Sequence, residues 1–160
     1  MRNKFIANRL EEVLLNGRWI ANTNYKEQLM AVTWQQAIQK IADLNTIAAL
    51  TYHVNYYLAG ILNVFEGREL EIRDQYSFDL PPIKNEEDWT NLLHEFLSNS
   101  EKFISRVKNM PDEKLDEVFV DEKYKTYLRN MEGVIEHSYY HLGQIVIIKK
   151  MIDGEVKKQY

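Results

Sequence analysis

The chain has 160 residues, a net charge of −4 and no cysteine. This length suffices for one domain with its own core, and the lack of cysteine excludes disulfides and thiolate metal sites. Acidic and basic residues are interspersed, which argues against a nucleic-acid surface, and no apolar run approaches the ~20 residues of a membrane span. The charged residues Arg9, Glu11 and Glu12 argue against a signal peptide. We therefore expect a single cytoplasmic domain over residues 1–160, without nucleic-acid or membrane partners.

Helical periodicity predicts an all-α protein with four main helices and no strand pattern. The first helix is expected over about residues 4–15, with Gly17 as its stop. A short helix is expected over residues 33–41, where Thr33 can cap the first turn.

The second main helix is predicted over residues 46–66, with Asn45 as N-cap and Gly67 as stop. His53 lies beside its apolar seam. Gly60 is nearly in line with His53, so it would let a neighbouring helix or a ligand approach closely.

Residues 68–84 form a long connection that ends in Pro81-Pro82, which cannot lie inside a helix. Fully extended, this segment would span roughly 55 Å, more than the ~30 Å of a 20-residue helix. It can therefore return the chain to the start of the bundle, which would make the second and third helices parallel.

The third main helix is predicted to begin after Asn85, with three acidic residues in its first turn, and to end before Pro111. The fourth is predicted over about residues 124–152, with Gly154 beyond its end. The fold expected from these elements is a four-helix bundle.

Three of the four histidines lie on inward-facing helix surfaces. His137 and His141 are four residues apart and therefore project from the same face of the last helix. His53 is the candidate third ligand, on the second helix. His94 shares a polar face, so we expect it to be exposed and without function. Spacing alone leaves open whether the three bind a metal or are core histidines satisfied by hydrogen bonds.

Three neutral imidazoles on one ion would leave a coordination position open, as in catalytic sites. Imidazole suits several divalent metals, so the donors do not name the ion. A zincin protease is excluded because Ser138 stands where the glutamate of His-Glu-x-x-His belongs. A di-iron carboxylate site is excluded because no histidine has glutamate three residues before it. No Gly-x-Ser-x-Gly motif supports a serine hydrolase.

Several polar residues near the histidines can either contribute to the site or simply pack in the bundle. Gln144 can orient a ligand, but contact with the backbone or the bundle seam is the favoured interpretation. Tyr56 and Tyr140 can line a pocket, but packing with wetted hydroxyls is the favoured interpretation. Glu136 points about 100° away from His137, which argues against a metal bond.

Residues 52–58 (YHVNYYL) together with residues 137–145 (HSYYHLGQI) resemble the DinB-like/YfiT-like superfamily of metal-binding bundles. The resemblance covers most of the chain, including the long connection. It implies an up-down-down-up four-helix bundle, often dimeric, with a divalent ion on His53, His137 and His141. Nickel or zinc is the expected ion, and iron, cobalt or manganese would also fit. A homodimer is the expected assembly.

Relatives in this superfamily include metal-dependent hydrolases and enzymes that transfer low-molecular-weight thiols. The first hypothesis is therefore a metal-dependent enzyme of one of these types, acting on a small molecule that can be a thiol. The second is a non-catalytic dimeric stress-response bundle whose metal site is structural or adventitious. No motif in the chain identifies the substrate.

Overall fold

The computed structural model describes the backbone of residues 1–156 and the side chains of residues 1–154, and every regular element in that part is helical. The α-helices are α1 (Arg2–Glu11), α2 (Tyr25–Met30), α3 (Trp34–Ile38), α4 (Ile47–Phe65), α5 (Glu86–Lys108) and α6 (Tyr127–Val156). A π-helical segment, Glu12–Asn16, continues α1. Short 3-10 helices cover Asp74–Tyr76, Asp112–Asp116 and Glu122–Tyr124. The expected all-α class is confirmed, while residues 157–160 of the predicted domain lie outside the described residues.

Side-chain caps fix where the helices begin. Asn85 accepts a hydrogen bond from the backbone N–H of Asp88 at 2.9 Å, as predicted for the start of α5. Thr33 forms a reciprocal capping box with Gln36 at the start of α3. At α4 the predicted cap was wrong by one residue. Thr46, not Asn45, caps the helix, because its hydroxyl accepts from the N–H of Ala49 at 3.1 Å.

The ends of the last helix also differ from the prediction. It begins at Tyr127 rather than near Tyr124, because Lys125 has a positive φ of 63° that interrupts the helix. It also continues through Gly154, which was expected beyond its end. Helix α2 was missed altogether. Its start is fixed by Asn24, whose side chain accepts from the N–H of Glu27 at 2.9 Å.

The core lies between the long helices. Helix α4 packs against α5 and α6, and α1 packs against the same two helices. The short helices are tied to this core by buried polar bonds. The Tyr25 hydroxyl donates to the backbone carbonyl of Ser138 at 2.8 Å, and the Trp89 indole N–H donates to the carbonyl of Val32 at 3.0 Å. Across residues 1–156, none of the helices combines the length and apolar character that a membrane crossing needs.

The connection between α4 and α5 is held against α4 rather than looping away from it. The hydroxyl of Tyr56 accepts from the backbone N–H of Arg73 at 2.9 Å. The neighbouring Tyr57 hydroxyl donates to the Asp74 carboxylate, also at 2.9 Å. The side chain of Ile72 occupies the space where a side chain at Gly60 would lie. Gly60 thus permits a close approach, as predicted, and the approaching element is the connection.

Replacing Gly60 should loosen this contact. We expect Gly60→Leu to lower the free energy of unfolding by about 1–3 kcal/mol, because the new side chain would overlap Ile72. Urea unfolding measures the change. Gly154→Leu is the matched control, since a side chain there meets open space. Equal losses in the two variants would contradict the packing role assigned to Gly60.

Candidate metal centre

The imidazole rings of His53, His137 and His141 lie together between α4 and α6. The Nε2 atoms of His53 and His141 are each 3.0 Å from Nε2 of His137. All three ligand atoms lie within 4.8 Å of one another. His94 is exposed on α5, as predicted. The sequence therefore identified which histidines meet and which one does not.

Helix geometry explains how the three rings reach one point. His137 and His141 are one turn apart on α6, with ring centroids 4.4 Å apart. His53 comes from the facing side of α4, and its ring centroid lies 4.9 Å from that of His137. His53 and His141 are each only 7% exposed, whereas His137 is half-buried. Access to the group is therefore greatest on the side of His137.

The outer nitrogens of two rings have oxygen partners that fix their tautomers. Nδ1 of His141 lies 2.6 Å from Oε1 of Gln144, and Nδ1 of His53 lies 3.3 Å from the backbone carbonyl of Ser77. Each oxygen is an acceptor, so each Nδ1 carries the hydrogen. The Nε2 atoms of both rings then present lone pairs toward His137.

This arrangement leaves an excess of acceptors at the centre of the group. Nε2 of His137 has at most one hydrogen when the ring is neutral, so it cannot make a good hydrogen bond to both facing nitrogens. A cation shared by the three lone pairs would satisfy all of them. Two imidazoles bound to one tetrahedral ion at about 2.0–2.1 Å have nitrogens about 3.3 Å apart. The donor set and its spacing therefore fit a metal ion.

Burial keeps these rings neutral. Desolvation, together with the proximity of His141 and His53, lowers the pKa of His137 to about 4. Burial also lowers the pKa of His53, with His141 adding to the effect and the Ser77 carbonyl opposing it. Burial lowers the pKa of His141, although its bond to Gln144 opposes this. Neutral imidazole is the form that binds metal, so the site is ready for a cation at neutral pH.

The connection after α4 covers one side of the histidine group, which the sequence did not predict. The ring of Phe78 stacks on His53 with centroids 4.0 Å apart and an interplanar angle of 12°. Ser77 supplies the carbonyl that faces Nδ1 of His53. Tyr57, tied to Asp74, stands edge-on to the His53 and His137 rings at 5.1 and 5.2 Å. The aromatic residues of this connection were the only sequence feature that could have indicated this cover. Their partners depend on tertiary packing, which the sequence does not give.

A cavity of about 340 Å³ adjoins the other side of the group. Its walls come from α4 and α6, and His137 lies on its surface. The remaining lining residues are Tyr57, Ile61, Arg129, Asn130, Gly133 and Val134. The histidine group is thus covered by the connection on one side and opens to a cavity on the other.

The structure places the other polar residues of the sequence analysis in different environments. Gln144 contacts His141, so the favoured expectation of a backbone or seam contact was wrong. Tyr140 is 65% exposed and does not line the cavity beside His137. Glu136 is bonded to Arg129 at 3.0 Å, in keeping with its predicted direction away from the metal site. Ser138 is fully buried, and its Oγ has no hydrogen-bond partner among the described residues.

The lowered pKa of His137 gives a test of this geometry. In metal-free protein we expect its ring to titrate with a midpoint at about pH 4 rather than 6.5. The unfolded ring binds its proton at higher pH than the folded one, so the free energy of unfolding should fall as pH drops from 6.5 towards 4. NMR of the imidazole protons measures the midpoint. A value near 6.5 would mean that His137 is not packed against the other rings.

Comparison with known families supports the resemblance noted in the sequence. A family model described as the DinB superfamily matches residues 27–145, a range that includes all three clustered histidines. Among curated proteins and among solved structures, no match was found. Because the family match covers well over half of its length, the chain belongs to the DinB superfamily.

Proposed function

We propose that this protein is a divalent-metal-dependent enzyme that acts on a small molecule, as a hydrolase or as a low-molecular-weight-thiol transferase. His53, His137 and His141 would hold the ion. The observation that carries the proposal is the pair of 3.0 Å contacts that Nε2 of His137 makes with the Nε2 atoms of His53 and His141. Oxygen acceptors fix the tautomers of those two rings. Membership of the DinB superfamily supports it.

Nickel or zinc is the proposed ion, with iron, cobalt or manganese as alternatives that imidazole also accepts. When bound, such an ion acts as a Lewis acid that lowers the pKa of a water or a thiol. Three protein donors leave at least one position for that group. The hydrolase and the thiol transferase differ in which of the two occupies it.

The residues around the histidines have separate tasks in this proposal. Gln144 and the Ser77 carbonyl orient the rings of His141 and His53 through Nδ1. Phe78 covers the face of His53 and excludes water there. His137 borders the cavity, so the substrate would approach from its side.

We also propose the helix order up-down-down-up. This order is supported by the contacts that successive residues of α4 make with α5 and α6. Asn55 bonds Asn99 of α5 at 2.9 Å, and Phe65 further along contacts Phe103 of α5. The residue that is further along α4 contacts the residue that is further along α5, which favours parallel α4 and α5. Phe65 also contacts Tyr127, at the start of α6.

His53 contacts His137, further along α6 than Tyr127. The order along α4 and α6 is thus reversed, which favours antiparallel helices. Asn3 at the start of α1 bonds the carbonyl of Lys108 at the end of α5, which favours antiparallel α1 and α5. We further propose that the chain forms a single domain, that it assembles as a homodimer and that it is located in the cytoplasm.

Metal analysis of the purified protein tests the site directly. We expect one divalent ion per chain in the unmodified protein and substoichiometric metal in His137→Ala, because that variant lacks the nitrogen that faces both other rings. Inductively coupled plasma mass spectrometry gives the stoichiometry, and circular dichroism checks that the fold is retained. His94→Ala, which removes an exposed histidine, should keep its metal.

Two results would redirect the proposal. Unmodified protein that binds no metal after supplementation would favour the non-catalytic bundle. Equal metal loss in His94→Ala and His137→Ala would show that the ion is not held at the three histidines. With the metal site established, parallel assays of thiol conjugation and of ester or amide hydrolysis divide the two enzyme classes.

Gln144 offers a test that leaves all three ligands in place. We expect Gln144→Leu to weaken metal binding by about 10–100-fold, because Nδ1 of His141 would lose the acceptor that orients its ring. Competition with a chromophoric chelator measures the affinity. Gln35→Leu makes the same change at an exposed position of α3 and should have no effect. An unchanged affinity in Gln144→Leu would show that the contact does not orient the ligand.

A further inference from the structure

The cavity beside His137 includes space left by the missing side chain of Gly133. Gly133 lies four residues before His137 on α6, so the two residues stack on one face of the helix. Both line the same cavity of about 340 Å³. A Cβ placed on Gly133 would have no heavy atom of a neighbouring element within 4 Å. A larger side chain at this position would therefore project into open space next to a histidine of the site.

Packing does not account for this glycine. Glycine is less favourable than alanine inside a helix, and it is typically retained where φ is positive or where another element approaches closely. Gly133 has helical backbone, unlike Gly67, whose φ is +80°. It also has no close neighbour, unlike Gly60, which Ile72 covers. The space at Gly133 is therefore free for a ligand.

The walls nearest this space are mostly apolar. Ile61 of α4 and Val134 of α6 are 7% and 8% exposed and line the cavity together with the ring of Tyr57. At the far end lies Asn130, seven residues before His137, which corresponds to about 10 Å along the helix. A ligand that reaches from the histidines to Asn130 would pass directly over Gly133.

The amide donors and the cationic group at the far end are already engaged. Nδ2 of Asn130 donates to the carbonyls of Tyr124 and Thr126 at 2.7 and 2.8 Å, which uses both amide hydrogens. The guanidinium of Arg129 is bonded to the Glu136 carboxylate at 3.0 Å. A second carboxylate lies 4.0 Å from the guanidinium, so an anionic group there would be repelled by two acidic side chains. The cavity is thus suited to an uncharged chain rather than to a carboxylate or phosphate.

We propose that the space beside Gly133 binds the uncharged, mainly apolar chain of the substrate whose reactive group lies at the three histidines. Gly133 would then be a specificity-determining residue, because its lack of a side chain admits that chain. The substrate class is a small molecule with a metal-binding head group and an unbranched tail of up to about 10 Å. This inference rests on the metal site of the proposed function.

Binding of simple thiols to the nickel-loaded full-length protein tests the inference. The probes are the unbranched alkanethiols from ethanethiol to hexanethiol, followed by the sulfur-to-nickel charge-transfer absorption. We expect the dissociation constant to fall about fourfold for each added methylene, the change that corresponds to about 0.8 kcal/mol per buried CH₂. The carboxylate-bearing 3-mercaptopropionate should bind more weakly than butanethiol, since the cavity offers no unpaired cation.

Gly133→Leu should abolish the dependence on chain length while leaving nickel stoichiometry unchanged. Gly154→Leu places the same side chain at another open glycine of α6, distant in sequence from His137, and should keep the dependence. If Gly133→Leu fails to fold, Gly133→Ala fills part of the space and should weaken the dependence.

The possible failures are distinguishable. If the unmodified protein binds nickel but shows no dependence on chain length, the inference is overturned and the metal site stands. The same holds if the dependence survives in Gly133→Leu or is lost equally in Gly154→Leu. If the unmodified protein binds no nickel, the proposed function is overturned and the inference with it.

Discussion

The contact of His137 with His53 and His141 is the constraint around which this structure is arranged. Three nitrogen atoms meet where burial opposes protonation, and at most one hydrogen is available to share between two acceptors. Without a cation, the group is an under-satisfied, partly buried polar cluster. Such clusters cost free energy, and a cation shared by the three nitrogens would offset that cost.

The long connection after α4 is part of this site and not only a link between helices. Tyr56 and Tyr57 bind consecutive residues of the connection, Arg73 and Asp74, through their hydroxyl groups. Those bonds place the following residues, Ser77 and Phe78, against His53. One consequence is that the tautomer of His53 depends on a segment outside the long helices. Substitutions in the connection would therefore alter the environment of His53 without replacing any of the three histidines.

Local sequence rules predicted the features that arise within one helix. The spacing of His137 and His141 fixes their shared face, and Asn85 caps α5 as its sequence context indicated. At the start of α4, Asn45 and Thr46 are both good caps, and the choice between them depends on side-chain geometry that periodicity does not encode. The six residues of α2 are too few to show a periodic pattern, and its cap Asn24 was not identified, whereas Thr33 was identified as the cap of the similarly short α3.

Apart from the meeting of the three histidines, features that depend on tertiary contacts were not predicted from the sequence. The stacking of Phe78 on His53 joins residues of different elements, and no spacing rule connects them. The contact of Gln144 with His141 could have been predicted, since Gln144 lies one turn after His141 on the same helix. From the sequence, a contact with the backbone or the bundle seam was favoured instead. The deciding factor was the second nitrogen of His141, which needs an acceptor once the first faces the other histidines.

The two sides of the histidine group differ in a way that bears on chemistry. On the side of His53, an aromatic ring and a backbone carbonyl close the site. On the side of His137, the nearest helix turn carries Gly133 and leaves a cavity. A purely structural ion would be served best by closure on both sides, because every open position admits water or a competing ligand. Closure on one side only would suit the proposed enzyme, whose ion must stay bound while a substrate enters and leaves.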